Sequence, residues 1–170
     1  MQDREAIITR AGGGIKHAHA GGAVSVTALS AAQHPGGSAV QIAEMPVGSG
    51  PPFHRHPAFD EVFIILEGIV EFQVRDELHV AHAGDLVFVP GELPHAPRCT
   101  AGNDRGVARL VMLVTPARFE DFFHELGDLL ARPHTRSELE SLGREYGIEF
   151  LDRPDVRTTR SARGDKHGRP

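Results

Sequence analysis

Between Gly48 and Gly68 the chain brings His54, His56 and Glu61 together within eight residues, among Pro51, Pro52 and Pro57 and just ahead of the β-forming run 62–66. In an extended segment, spacing i, i+2 sends both imidazoles off one face with their backbones about 7 Å apart. That is near enough to converge on one ion through bonds of about 2.1 Å. A carboxylate at the head of an apolar strand is costly to bury unless positive charge meets it. A divalent cation shared with the two histidines would supply that charge. The remaining ligand should come from a neighbouring strand, and His95 is the best placed, following Pro90-Gly91-Glu92-Leu93-Pro94 at the end of the run 86–89. A single cysteine, Cys99, excludes a disulfide framework and a Cys-rich zinc module, so imidazole and carboxylate are the available ligands. They suit iron, nickel, manganese, cobalt, copper or zinc, and the sequence leaves the choice among these open.

The elements that must position these residues read as short β-branched and apolar runs separated by turn signals, the pattern of an antiparallel sandwich or barrel. Strands are expected at 23–29, 39–45, 62–66, 69–74, 78–82, 86–89 and 107–114. The run 62–66 is apolar throughout and is expected to be buried on both faces. It is expected to pair with 69–74 as a hairpin turning at Glu67-Gly68. By strand alternation Phe63 and Ile65 should face the same cavity as Glu61, with Met45, Phe72 and Phe88 as further candidates for an apolar substrate-binding wall. Thr115-Pro116 reads as the N-cap and first residue of a helix carrying Phe119, Phe122, Phe123, Leu126, Leu129 and Leu130 on one face. This stripe is expected to pack on the barrel or on a dimer partner. Ser137 with Glu140 reads as a capping box for a second helix ending at Gly147.

The division expected is a flexible arm over 1–21, a barrel over 22–116, helices over 117–150 and a disordered basic tail over 152–170. His17 and His19 fall in the glycine-rich arm and are expected to be solvated, and His34 to be a turn residue. His79 and His82 lie at a separation that lets at most one face the cavity, and His124 falls on the polar side of the first helix. None of the last three is expected to be a ligand. Cys99 is expected to be a buried filler.

The chain has 170 residues and a net charge of −5, with 40% hydrophobic residues. This suits one soluble domain with one core and argues against nucleic acid as a partner. No apolar run is long enough to cross a membrane as a helix. Residues 1–5 carry charges of both signs, unlike a signal peptide, so a cytoplasmic protein is expected, with a homodimer plausible.

Gly48-x5-His54-x-His56-x4-Glu61-x6-Gly68 resembles the first motif of the cupins at every specified position, and Gly84-x5-Pro90 running to His95 resembles the second. Two positions of the second motif differ: Glu92 stands where the family has glycine, and Cys99 where it has asparagine. The resemblance implies an all-β fold, a cupin double-stranded β-helix or jelly-roll barrel with one or two C-terminal helices. It also implies one metal ion on His54, His56, Glu61 and His95. The single-domain form and the Phe-rich terminal helix look most like the bacterial quercetin 2,3-dioxygenase-like group, in which the corresponding glutamate is thought to take a proton from the flavonol hydroxyl. That role falls here on Glu61. The function expected is therefore a metal-dependent dioxygenase acting on an enolic or phenolic small molecule, with O2 as cosubstrate. The alternatives are a redox-neutral isomerase, cyclase or lyase at the same site, and a non-enzymatic small-molecule-binding cupin.

Overall fold

The computed structural model describes residues 6–117 and 120–157. Within them the strands are β1 (Ile15–Ala18), β2 (Val24–Leu29), β3 (Ala39–Pro46), β4 (His54–Arg55), β5 (Asp60–Glu67), β6 (Ile69–Val74), β7 (Glu77–His82), β8 (Leu86–Val89), β9 (His95–Ala101) and β10 (Val107–Thr115). Helices α1 (Glu120–Leu130) and α2 (Arg136–Glu145) follow, and the short β11 (Glu149–Phe150) returns to the sheets. Two antiparallel sheets result, in the orders β1-β2-β3-β10-β5-β8 and β11-β4-β9-β6-β7. This is the expected jelly-roll barrel.

Alternation sets the core. Phe63 and Ile65 on β5, Ala108, Leu110 and Val114 on β10, and Val70 and Phe72 on β6 are buried between the sheets. Phe63 and Phe72 meet edge to face with centroids 5.1 Å apart, an arrangement favoured by the ring quadrupoles. The other face of β5 is less covered than its apolar sequence suggests: Val62 and Ile64 are half-buried and Leu66 is exposed. An apolar run long enough for a strand thus has one core face, and the second is only partly covered.

The expected pairing of β5 with β6 does not occur. β5 lies between β10 and β8, whereas β6 lies between β7 and β9 in the opposite sheet. Gly68, at φ +82, turns the chain from one sheet to the other. A Cβ there would stand 2.6 Å from the Ala101 carbonyl oxygen, so the corner needs both the left-handed conformation and the missing side chain. β9 falls in a stretch that the sequence leaves as loop, because Pro97 and Arg98 interrupt its apolar pattern.

The arm and the tail are more ordered than their composition indicates. β1 pairs with β2, and His17 is buried with Nε2 3.0 Å from Thr27 Oγ1. The Arg157 amide donates to Asp76 O at 2.8 Å, and Gln73 Nε2 donates to Pro154 O at 3.0 Å, so the tail runs along the β6–β7 turn as far as it is described. The expectation for 158–170 lies outside the described residues.

Thr115 is the end of β10, opposite Asp60, with its hydroxyl 2.7 Å from Ser38 Oγ. It is therefore no N-cap, and α1 starts later. Phe119 lies outside the described residues, as do the side chains of His124 and Leu130. The capping box of α2 is Thr135 with Glu138, two residues before the expected pair, because Glu140 instead meets Arg136 at 2.7 Å. Gly147 follows the end of α2 at φ +72.

Glu92, which stands where the resembled second motif has glycine, has φ +70. Its exposed ion pair with Arg55 at 3.3 Å contributes little, while the left-handed conformation costs a non-glycine residue about 1–2 kcal/mol. Part of that relief is offset by the greater freedom of glycine in the unfolded chain. Glu92→Gly should therefore stabilise the protein by about 0.5–1 kcal/mol, read as a rise in melting temperature of roughly 1–4 °C.

Candidate metal centre

The four ligand candidates come from both sheets. His54 on β4 is the cross-strand neighbour of His95 on β9, His56 follows immediately after β4, and Glu61 projects inward from β5. All four are buried, and each offers a ligand atom such that the four atoms lie within 4.8 Å of one another.

Backbone carbonyls settle which ring nitrogen is available. Nδ1 of His54 donates to Pro52 O at 2.8 Å, that of His56 to Phe59 O at 2.9 Å, and that of His95 to Leu93 O at 3.0 Å. A carbonyl can only accept, so each Nδ1 carries a proton and each neutral ring turns an Nε2 lone pair into the cluster. His56 is held further by Phe59, whose ring stacks on it at 4.2 Å.

Glu61 Oε2 lies 2.8 Å from His56 Nε2 and 3.1 Å from His95 Nε2. Lone pairs facing a carboxylate at these distances repel unless a cation lies among them, either a proton on a ring or a metal ion. Burial alone would raise the Glu61 pKa, but the His56 and His95 contacts overcome it and hold the carboxyl well below the usual range. Burial likewise disfavours a charged His56, and the Glu61 carboxylate overrides it, so this pKa is raised. Burial first, with His95 second, takes His54 down to about 4. A neutral His54, three oriented imidazoles and an ionised carboxylate make a donor set that fits a divalent transition metal.

A cavity of about 320 Å³ opens onto His54 and Glu61. Phe63, Met45, Leu110 and Met112 from the barrel and Phe122, Phe123 and Leu126 from α1 give it largely apolar walls. The structure thus places two of the expected wall residues, Phe63 and Met45, in this lining. Ile65 and Phe72 are buried in the core away from it. Phe88 is 55% exposed on the outer face of β8, because Val89 is the residue of that strand opposite Glu61 and takes the inward phase. His79 and His82 are exposed on β7. Cys99 is fully buried.

Gln41, which is not among the expected site residues, and His19, expected to be solvated, also line the cavity. Gln41 shares the inward phase of Ala39 and Met45 on β3, and a polar side chain on that phase is the signal that could have marked it. His19, read as solvated, has Nε2 2.8 Å from Ser25 Oγ and meets the Phe123 ring edge-on at 5.1 Å. Among the described residues no helix is long and apolar enough to cross a membrane.

Residues 41–113 match a family model described as Cupin domain. No curated protein matches the chain in sequence. Among solved structures it is similar to KdgF from Halomonas sp., with a TM-score of 0.59 and 14% identity over 69% of this chain and 98% of that one. It is similar to an RmlC-like cupin from Shewanella frigidimarina, at 0.57 and 21% over 69% and 96%. A protein described as a predicted oxalate decarboxylase from Thermotoga maritima also matches, at 0.57 and 21% over 64% and 98%. At such identities the likeness is one of fold.

Two outcomes follow from this geometry. In chelator-treated protein, adding nickel or zinc at about 100 times its dissociation constant should stabilise the fold by about 2.7 kcal/mol, a rise in melting temperature of roughly 5–11 °C; His95→Ala should abolish the rise. Separately, burial and then His17 lower the His19 pKa from 6.5 to about 4. The unfolded chain therefore binds the extra proton first, and the stability that His19 contributes is lost as pH falls from about 6.5 towards 4. The melting temperature of metal-free protein should drop between pH 7 and pH 5, and drop less in His19→Gln.

Proposed function

We propose that the cupin domain carried by residues 41–113 is the seat of a metal-dependent dioxygenase acting on an enolic or phenolic small molecule. The observation that supports this reading best is the buried set of three histidines and one carboxylate at the floor of an apolar cavity. A bound divalent ion would supply Lewis acidity and, if redox-active, a centre at which an electron-rich substrate and O2 meet.

The chain's own residues perform the remaining tasks. The carbonyls of Pro52, Phe59 and Leu93 fix the three imidazoles, so the site costs little reorganisation when a ligand arrives. Phe63, Met112, Phe122 and Phe123 exclude water and receive a flat or apolar body. Glu61 enters ionised, the form a base requires. A substrate hydroxyl meeting its carboxylate would pass its proton to a carboxylate oxygen, leaving the substrate as an enolate or phenolate. Burial favours the protonated product once the contacts to His56 and His95 loosen.

Metal-replete protein mixed with flavonols and related enols should consume O2, while metal-free protein should not. Uptake no greater than that of the metal-free control across the panel would overturn the oxygenase reading, and turnover unchanged under strict anaerobiosis would replace it with a redox-neutral isomerase, cyclase or lyase. Glu61→Gln should lower kcat at least about 100-fold with substrate affinity retained. Unchanged turnover would remove Glu61 as the base.

A further inference from the structure

The cavity has two chemically different ends. At one are His54 and Glu61. At the other, on β2 and β3, the inward face turns polar: Ser25 and Gln41 line the cavity, and both are buried, as is Thr27 further along β2. The two hydroxyls are engaged, Thr27 with His17 and Ser25 with His19. Gln41 differs. It is 2% exposed and lines the cavity, yet its carboxamide oxygen has no hydrogen-bond partner among the described residues. A buried acceptor left in this condition opposes folding. Such groups in natural proteins generally have a reason outside the fold itself.

We propose that Gln41 recognises the far end of the substrate: its carboxamide, whose oxygen is buried and unpartnered in this structure, turns to accept a hydrogen bond from a hydroxyl or N–H of a ligand whose near end meets Glu61. The registers give the scale. Gln41 stands opposite Met112 on β10, and Met112 stands opposite Phe63 on β5, two residues along the inward face from Glu61. Two strand spacings across and one two-residue step along put the Gln41 and Glu61 backbones roughly 12 Å apart. A molecule of one to three fused or linked rings can touch both side chains, with its body against Phe63 and Met112, and a cavity of about 320 Å³ holds such a ligand at the lower end of the usual range. The substrate class is thus a mainly apolar ring compound with an acidic enol or phenol at one end and a hydrogen-bond donor at the other. The carboxamide offers its oxygen to a donor, and after rotation its NH2 to an acceptor.

This rests on the cavity being the substrate site, and the test separates the two claims. Zinc-loaded protein is titrated anaerobically with unsubstituted flavonol and with flavonols carrying one further hydroxyl on either the fused or the pendant ring. Wild type should bind at least one hydroxylated member about 10- to 100-fold more tightly than the parent. Gln41→Met should bind the parent as wild type does and lose the preference. The same substitution removes a buried unpartnered acceptor, so it should melt roughly 2–6 °C higher; Gln41→Leu serves if the methionine variant does not fold. A preference that survives in the variant, no preference in wild type, or a variant that melts below wild type overturns the role of Gln41 while leaving the metal-site reading intact. Binding of none of the probes, with zinc still raising the melting temperature, overturns both the flavonol-like substrate and the recognition proposed here.

Discussion

The structure turns on one electrostatic constraint: Glu61 is 4% exposed and is the one buried carboxylate among the described residues. An ionised carboxylate in such a place is tolerated only if positive charge and hydrogen bonds meet it. Three histidine edges surround it, and their outer nitrogens are committed to backbone carbonyls. Charge compensation is consequently built into a turn before β4, a turn after it, and the start of β9. No part of that arrangement can shift by a residue without turning a ring away from the centre.

The two sheets divide the labour. The β4–β9 pair holds two imidazoles side by side, and β5 in the facing sheet delivers the carboxylate. The cluster therefore joins the sheets at one end of the barrel, while Phe63 and Phe72 join them along the core. Chemistry and packing share strands and differ only in which inward residue is used: on β5, Glu61 goes to the site, Phe63 to the cavity wall and Ile65 to the core.

The ligand cluster was legible in the sequence because most of it is local. His54, His56 and Glu61 are close in the chain, and His95 follows a recognisable turn. Features that depend on distant neighbours were not. Glu67-Gly68 has the composition of a hairpin turn, and only the steric contact with Ala101 and Ala108 makes it a corner between sheets. Thr115-Pro116 satisfies every local preference for a helix start, yet pairing with β5 wins. His17 and His19 lie among glycines and alanines that give no periodicity, so their burial against β2 and α1 left no trace in composition. The inward phase of β8 was equally hidden, since Leu86, Val87, Phe88 and Val89 are all apolar and only the register with β5 distinguishes them.

The two-residue β11 changes what the C-terminal part of the chain is for. It pairs with β4, Phe150 against His54 and Glu149 against Arg55, and the Arg55 guanidinium meets the Glu149 carboxylate at 2.7 Å. Without it, β4 would be the outermost strand of its sheet, two residues long and supported from one side only. Helices α1 and α2 are thus the tether that carries a brace back to the strand bearing His54, and α1 also roofs the cavity on the way. The family-model match ends at residue 113, so the residues that roof the cavity from α1 and brace the strand bearing His54 through β11 all lie beyond it.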